Sequence, residues 1–265
     1  MKNHHYRVVI SYNGSNYFGW QDLGDEEGKA TVQGTITQAL RKICKYAECT
    51  VSGASRTDAG VHAIEQVAKL SIPLKITAKK LQLGLNSLLP EDIRIWQCVE
   101  CLDDFNPNRQ STSKKYRYYF STDRISSPIL HGIVAHVPSQ IEGAKSNAQL
   151  DLEKMRQACK LFTGEHDFYS FSSRDKNIGS TVRTICQLQI ESTGAIGLDV
   201  QVYYFEIEGN GFLRHMVRYI IGAILKVGRH AIDFDDIRQA LGNRNAQKLS
   251  PKAKARGLHL IEITY

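Results

Sequence analysis

The order of strand-like and helix-like segments along the 265 residues predicts an α+β protein with mainly antiparallel sheets. Two observations support this fold class. About the first hundred residues read β-α-β-β-α-β, the split βαβ arrangement of ferredoxin-like domains, and a similar order recurs in the remainder. The polar stretch 103–113 separates the two halves. We therefore predict two ferredoxin-like or RRM-like domains, 1–105 and 106–265, whose sheets form a central cleft.

The elements of the N-terminal half are predicted from periodicity and from boundary signals. Alternation and β-branched residues mark strands, whereas apolar residues three and four apart mark helices. Pro90 stops the second helix, because proline cannot continue it. In chain order, we predict a strand over Arg7–Tyr12, a helix over Thr31–Tyr46, strands over Thr50–Ser55 and Glu65–Ile72, a helix through Leu81–Leu89 and a strand over Ile93–Cys101.

The elements of the C-terminal half follow from the same criteria. Gly194 and Gly197 mark the turn of a β-hairpin. In chain order, we predict strands over Lys114–Thr122 and Ile133–Val137, a helical stripe from Leu152 to Phe162, hairpin strands Thr181–Glu191 and Leu198–Glu208, helices Phe212–Arg229 and Phe234–Leu241, and a closing strand Gly257–Thr264.

The composition is that of a globular protein with a basic surface. Hydrophobic residues make up 42% and charged residues 23% of the chain, and both values are ordinary for a globular protein. We see no signal peptide and no run of about 20 apolar residues, so we expect a cytoplasmic protein without a membrane segment. Lys plus Arg exceed Asp plus Glu by 34 − 27 = 7, which suits a polyanionic partner such as RNA. An early loop is acidic, since it contains Asp22 and the run Asp25-Glu26-Glu27, so we expect the basic surface to lie elsewhere on the protein.

Cys98-Val-Glu-Cys101 is the only C-x-x-C pair among the six cysteines. A zinc site would need further Cys or His ligands. Residues three apart on a strand also point to opposite faces. We therefore expect reduced, structural cysteines and no metal.

A carboxylate stands in a glycine-containing turn between two predicted strands. Ser52–Ala63 reads Ser-Gly-Ala-Ser-Arg-Thr-Asp-Ala-Gly-Val-His-Ala, with the carboxylate at Asp58. Gly60 permits backbone conformations that other residues resist. Arg56 and Asp58 alternate around Thr57, so we expect one to reach a substrate while the other braces the loop or contacts phosphate. By composition alone, such a segment is typical of a surface turn.

A second segment, Phe212–Arg218, reads Phe-Leu-Arg-His-Met-Val-Arg within a predicted helix. On that helix Arg214 and Arg218 lie one turn apart, on the side opposite the apolar stripe and together with Gly222. By itself this pattern is typical of a solvated basic face.

A third segment, Lys114–Phe120, alternates as a strand. Tyr116, Tyr118 and Phe120 are predicted on one face, with Lys115, Arg117 and Tyr119 on the other. Taken alone, this is the pattern of an ordinary aromatic strand.

Together these segments resemble the TruA-type tRNA pseudouridine synthases, in order and over essentially the whole chain. They are similar to the family's signature loop, its Phe-x-x-His-Met-Val-Arg motif and its Arg-Tyr-Arg-Tyr-like run, and a weaker likeness covers Tyr12–Gln21. The resemblance implies that Asp58 is the catalytic nucleophile, that Arg218 pairs with it and that Tyr116 stacks on the target base. From the basic balance we further expect phosphate contacts by the cations that flank the cleft, namely Lys114, Lys115, Arg117 and Arg214. We also expect Arg56, Arg109 and His215 to contact the RNA.

The resemblance also implies a homodimer that isomerises uridine to pseudouridine in the anticodon stem-loop of tRNA, at positions 38 to 40. The uridine must flip out of the helix to be reached. Asp58 would attack either C1′ of the ribose or C6 of the uracil, and an arginine beside a carboxylate keeps it ionised. Because the reaction adds no group and changes no oxidation state, we expect no cofactor.

Three departures from the family pattern bear on substrate choice more than on chemistry. Ser55 and Arg214 replace a more common Gly and His, and Phe105-Asn-Pro-Asn108, followed by Arg109, replaces Phe-His-Ala-Arg. One alternative is therefore a pseudouridine synthase of the same fold that acts on another RNA site. Another is a non-catalytic RRM-like RNA-binding protein, which would not need Asp58, Arg218 and Tyr116 together. A zinc-dependent base-modifying enzyme would need a ligand set that this sequence does not show.

Overall fold

The protein is described by a computed structural model that covers residues 3–22, 24, 29–139, 150–173, 179–195, 198–244 and 247–265. Its contacts divide the chain into two compact units. The first comprises Met1–Thr112 together with His259–Tyr265, and the second comprises Ser113–Leu258. Ten strands and five α-helices are present within the described ranges, so the predicted α+β class is confirmed.

The strands and helices follow the predicted order. The strands are β1 (His4–Tyr12), β2 (Thr50–Gly53), β3 (His62–Ile72), β4 (Ile93–Glu100), β5 (Ser113–Ser121), β6 (Ala135–His136), β7 (Gly164–Asp167), β8 (Val182–Ala195), β9 (Leu198–Gly209) and β10 (Leu258–Thr264). The helices are α1 (Val32–Ile43), α2 (Ala78–Leu88), α3 (Leu152–Leu161), α4 (Met216–Gly228) and α5 (Phe234–Gly242). Side chains of Thr31, Thr77, Asp151 and Asp233 accept backbone N–H groups at the starts of α1, α2, α3 and α5, which fixes where these helices begin.

The first unit has the strand order of a ferredoxin-like sheet. β1 pairs antiparallel with β3 and β4, and β2 pairs antiparallel with β3, which gives the order β4-β1-β3-β2. β10 pairs in parallel with the start of β3, where His259 lies opposite His62 and Leu260 opposite Ala63. Alternate residues of β1 are buried with the apolar stripes of the two helices, namely Tyr6, Val8, Ile10, Tyr12, Val32, Ile36, Leu40, Leu81 and Leu85.

The second unit is built on a four-stranded antiparallel sheet in the order β5-β9-β8-β7. β6 pairs with β5 in parallel. Helix α3 packs against both α4 and β8. A cluster of buried rings, Phe162, Phe168 and Phe171, joins α3 to the segment that follows β7. Packing of this apolar face stabilises the unit, because each buried ring removes a large apolar area from water.

The helix predicted over Phe212–Arg229 begins four residues late, at Met216. His215 adopts a φ of 63°, a left-handed conformation that interrupts a right-handed helix. The apolar stripe nevertheless continues to the buried Leu213, so periodicity alone extended the helix too far. A second difference is β7, which was not predicted, because Gly-Glu-His-Asp lacks the β-branched and aromatic residues that mark a strand.

The division into units differs from the boundary expected between residues 105 and 106. The first unit continues to Thr112, and the closing strand, expected in the C-terminal domain, lies with the first unit. The Thr112 N–H donates to Thr264 O at 2.8 Å, a non-local pairing that no local pattern reveals. Of the acidic residues, Asp25, Glu26 and Glu27 fall outside the described ranges. Among the helices that are described, none has both the length and the apolar character needed to cross a bilayer.

Candidate active site

Asp58 lies in the loop that connects β2 to β3 in the first unit. Thr57 is buried, Arg56 is exposed, and Asp58 between Thr57 and the exposed Ala59 is half-buried. Thr57 therefore ties the loop to the body of the unit, while Asp58 is partly exposed.

Four hydrogen bonds fix the backbone on the N-terminal side of Asp58. The Tyr12 hydroxyl lies 2.7 Å from Thr57 Oγ1, and the Trp20 N–H donates to Thr57 O at 3.0 Å. The buried Gln66 amide binds both sides of Ser55, since its Nε2 donates to Ser55 O at 2.7 Å and its Oε1 accepts from Ser55 N at 3.2 Å. Buried polar groups that are satisfied in this way rigidify the segment they join.

The residues 12–20, which we call the loop seat, pack directly against the Asp58 loop. A Cβ atom on Gly14 would lie 2.0 Å from Val61 O, and one on Gly19 would lie 2.7 Å from Thr57 O. Gly19 and Gly60 adopt φ values of 98° and 76°, which favour glycine. The Gly60 N–H donates to Tyr17 O at 3.2 Å. The sequence signal for this seat was the weak family likeness over Tyr12–Gln21, but its role was not predicted.

Tyr116 lies on the buried face of β5 in the second unit. The predicted alternation is confirmed, since Tyr116, Tyr118 and Phe120 are buried and the intervening Lys115, Arg117 and Tyr119 are half-buried. Tyr116 and the half-buried Phe212 form a T-shaped pair, with 5.3 Å between ring centroids and an interplanar angle of 88°. Tyr116 is 6% exposed, so most of its surface is covered by protein in this structure.

Lys115 and Arg117 lie on the other face of β5, and both are paired with carboxylates of β9. Lys115 Nζ is 3.5 Å from Glu208 Oε2, and Arg117 Nε is 2.7 Å from Glu206 Oε2. The Arg117 guanidinium also lies 4.8 Å from the centroid of the Tyr204 ring. To bind a phosphate, either cation has to share or exchange its carboxylate partner.

Arg218 lies in the first turn of α4 and is half-buried. Its Nε donates to Ala253 O at 2.7 Å, and the Ala253 N–H donates to Arg218 O at 2.9 Å. Burial raises the pKa of the Tyr118 phenol, and the nearby charge of Arg218 opposes that rise. One turn further on, a Cβ atom on Gly222 would lie 2.3 Å from Pro251 O. This helix face is covered by the chain and is not a solvated basic face.

Arg214 was predicted one helical turn from Arg218, and that placement is wrong. Arg214 is exposed and precedes α4, because the helix starts after the left-handed His215. Ser173 holds this turn, since its N–H donates to Arg214 O at 2.9 Å and its hydroxyl lies 2.5 Å from His215 Nδ1.

The departure at residues 105–109 builds a local turn in the first unit. Asn106 Oδ1 accepts from the N–H groups of Asn108 at 3.2 Å and Arg109 at 3.0 Å, which is the usual turn chemistry of asparagine. Arg109 and Arg56 are both exposed. The predicted site residues thus divide between the units, with Arg56, Asp58 and Arg109 in the first. The second carries the remaining six, namely Lys115, Tyr116, Arg117, Arg214, His215 and Arg218.

Comparisons with known proteins identify the family. The family model described as tRNA pseudouridine synthase matches residues 8–105 and 158–265. The chain is 47% identical over 262 residues to tRNA pseudouridine synthase A 2 of Desulfotalea psychrophila, with 98% of each chain covered. The chain belongs to the tRNA pseudouridine synthase family. It is also 36% identical to tRNA pseudouridine synthase A of Listeria monocytogenes, with 98% of both chains covered.

Membership in the tRNA pseudouridine synthase family confirms the sequence-based prediction of an isomerase that acts on uridine in tRNA. Among solved structures, the crystal structure of a Cbf5-Nop10-Gar1 complex overlaps 96% of this chain and 48% of that one, at 12% identity and a TM-score of 0.37. That likeness is too low to support an argument.

Proposed function

We propose that this tRNA pseudouridine synthase isomerises uridine at positions 38 to 40 of the anticodon stem-loop, with Asp58 as the nucleophile. The N1–C1′ glycosidic bond breaks and a C5–C1′ bond forms. A proton leaves C5 and another is taken up at N1, so atoms and electrons balance within the substrate and the solvent. The reaction therefore requires neither a cofactor nor a metal, and attack of Asp58 at C1′ or at C6 satisfies the same balance.

The support for Asp58 is the fixation of its loop. Thr57 is held on one side by Tyr12 and Trp20, and on the other side the Val61 N–H donates to Asp58 O at 3.1 Å. A half-buried carboxylate on a backbone fixed at both ends is preorganised for attack on a flipped nucleotide, and such positioning lowers the barrier of the step. An ordinary surface turn requires no such seat.

Arg218 and Tyr116 complete the proposed chemistry. The bond from Arg218 Nε to Ala253 O orients the guanidinium plane, and its terminal nitrogens would meet the Asp58 carboxylate in the RNA complex. A bidentate guanidinium stabilises an ionised carboxylate. Tyr116, which forms a T-shaped pair with Phe212, would stack on the uracil once its ring is uncovered in the RNA complex. Stacking of this kind is worth about 1–3 kcal/mol per base and suits a flipped nucleotide.

We further propose that the protein works as a cytoplasmic homodimer that binds tRNA through phosphate contacts. The excess of 34 − 27 = 7 basic residues supports a polyanionic partner. Arg56, Arg109 and Arg214 are exposed and would supply contacts at the rim, with His215, Lys115 and Arg117. Light scattering of the purified protein tests the dimer, and a monomer at working concentration would contradict it.

The experiment that tests the reaction and its target is incubation of the purified protein with unmodified tRNA transcripts, followed by mapping of every pseudouridine. We expect product at positions 38 to 40 with the wild type and none with Asp58→Asn. Product confined to another arm of the tRNA would overturn the target. No product from the wild type on any tRNA would overturn the reaction.

A second candidate is a synthase of the same chemistry directed at a different set of uridines. The observation that favours it is the exposed Arg109, which stands one position later in the sequence than the arginine of the family pattern and lies in the turn formed by Asn106. Shape and backbone contacts at the rim select the site, since a flipped uracil carries little further identity. This candidate predicts a narrower or shifted set of modified positions, and a full pattern at positions 38, 39 and 40 would exclude it.

A further inference from the structure

Lys114 is a buried cation on the same face of β5 as Tyr116. Lys114 is 8% exposed and lies opposite Gly209 of β9. Burial, with a smaller contribution from the positive charge of Arg183, lowers the pKa of Lys114 to about 8. Burial also lowers the pKa of Arg183. The Arg183 guanidinium donates through Nη1 to Ser180 O at 3.0 Å and to Val182 O at 2.6 Å, which orients it. Two partly desolvated groups of like charge thus lie near each other, and an anion that contacts both would lower their repulsion.

The strand register brings the two cations to one end of the sheet. Gly209 lies between Lys114 on β5 and Ile185 on β8, and Arg183 comes two residues before Ile185. A Cβ atom on Gly209 would lie 2.6 Å from Thr184 O, so only glycine lets β9 approach β8 this closely here.

The chain after β9 then places the aromatic pair beside these cations. The Asn210 N–H donates to Thr184 O at 3.1 Å, and Asn210 Oδ1 accepts from Thr184 N at 3.1 Å. A Cβ atom on Gly209 would lie 3.3 Å from Phe212 Cζ, and one on Gly211 would lie 3.8 Å from Arg183 Nε. Gly209 therefore lets the Phe212 ring pack closely, and the Arg183 side chain lies beside Gly211.

We propose that Lys114 and Arg183 together bind one phosphodiester group of the RNA, next to the nucleotide whose base stacks on Tyr116. A nucleotide presents a base and a phosphate on adjacent groups, and aromatic surface bordered by cations is how proteins hold single-stranded nucleic acid. Arginine binds two phosphate oxygens at once, and lysine adds a point charge. The β9 carboxylates Glu206 and Glu208 do not compete, because they lie on the other face with Arg117 and Lys115. This subsite rests on the proposed function, since its ligand is the substrate RNA.

The test compares tRNA binding by Lys114→Met, Arg183→Gln and the double variant, over a range of salt concentrations. Each single variant should bind an unmodified tRNA transcript about tenfold or more weakly, as expected for loss of a charge-assisted contact. Because both residues bind the same phosphate, the double variant should lose much less than the product of the two losses. The dependence of log affinity on log salt should fall by roughly 0.7–0.9, the value for a single phosphate.

The matched control is Arg229→Gln. Arg229 is exposed at the end of α4 and lies 229 − 216 = 13 residues after Met216, which is about 20 Å along a helix axis. This variant should bind tRNA within about twofold of the wild type, as expected for an exposed charge.

Several outcomes would overturn the subsite. If Lys114→Met and Arg183→Gln bind tRNA as tightly as the wild type, the two residues do not form a phosphate subsite. Independent losses that multiply in the double variant would show that the two residues bind separate phosphates. A fall in melting temperature in parallel with affinity would show a merely structural role, because relief of buried like charges predicts an unchanged or higher melting temperature for Lys114→Met. If the wild type forms pseudouridine but the variants do not bind tRNA as predicted, only the phosphate subsite is refuted. If the wild type forms no pseudouridine, the proposed function is refuted.

Discussion

The substitution Gly19→Ala tests whether the loop seat positions Asp58. Gly19 has a φ of 98°, and a Cβ atom there would lie 2.7 Å from Thr57 O, against an ordinary contact of 3.4 Å or more. The backbone beside Asp58 therefore has to move by about 0.7 Å, the difference between these distances. Gly24→Ala is the matched control, because Gly24 has a similar φ of 82° and a Cβ atom there meets no atom of the described residues within 4 Å.

The two substitutions should differ in both stability and activity. Each introduces a side chain into the left-handed region, which costs roughly 1–2 kcal/mol. Gly19→Ala adds an overpacking cost of about 1–3 kcal/mol, so its melting temperature should fall by several degrees more than that of the control. Since a misplacement of about 1 Å can cost a hundredfold in rate, turnover by folded Gly19→Ala should fall about tenfold or more, while Gly24→Ala stays near the wild type.

The assay is single-turnover pseudouridine formation on a tRNA transcript at saturating enzyme, well below both melting temperatures. Rates are compared per folded molecule, as measured by circular dichroism. Equal rates for Gly19→Ala and Gly24→Ala would refute the claim that residues 12–20 position the nucleophile. If both variants lose the same amount of turnover relative to the wild type, the loss arises from the left-handed backbone conformation of alanine and not from contact with Thr57.

Three further predictions concern the second unit. Arg218→Ala should cut turnover strongly and Arg218→Lys should restore only part of it, because lysine lacks both the bidentate fork and the Nε bond to Ala253 O; full activity of the lysine variant would contradict this. Tyr116→Ala should weaken tRNA binding by about 1–3 kcal/mol while Tyr116→Phe retains it, and equal affinities of the two variants would exclude stacking. Lys114→Met should raise the free energy of unfolding at pH 7 by up to roughly 3 kcal/mol, since burial and Arg183 lower the pKa of Lys114 to about 8. Below pH 8 Lys114 is charged in both the folded and the unfolded state, so the wild type bears the full free-energy cost of the buried charge. As pH rises from about 8 towards 10.5 the folded state loses this charge, and the difference in free energy of unfolding between the two proteins should shrink. A difference that stays constant with pH in chemical denaturation would refute this prediction.

Most of the fold could be predicted because its signals are local. The alternation in β5 predicted which side of the strand carries Tyr116, and the apolar periodicity predicted α1 and α2. The start of α4 could not be predicted in this way, since Leu213 continues the apolar period across the left-handed His215. Periodicity reports which residues are buried and does not report whether the backbone between them is helical.

The candidate site was predictable only in part, for a different physical reason. The Asp58 turn has the composition of any surface turn, and its distinguishing feature is non-local. Thr57 bonds with Tyr12, 45 residues earlier, and Ser55 is held by Gln66 from within β3. Likewise Lys114 and Arg183 are far apart in sequence and come near each other only through the register of β5, β9 and β8. Family resemblance identified Asp58, whereas its seat and the two cations become visible only when the strands are paired.

The most direct test of the account is single-turnover pseudouridine formation by Asp58→Asn and Asp58→Ala on unmodified tRNA. Both variants remove the carboxylate from a half-buried, accessible position, and the hydrogen bonds at Thr57 and Ser55 do not involve its side chain. We predict no detectable pseudouridine from either variant, with tRNA affinity and melting temperature close to those of the wild type. Turnover within about tenfold of the wild type, which is less than 1.4 kcal/mol of barrier, would contradict the assignment of Asp58 as the nucleophile.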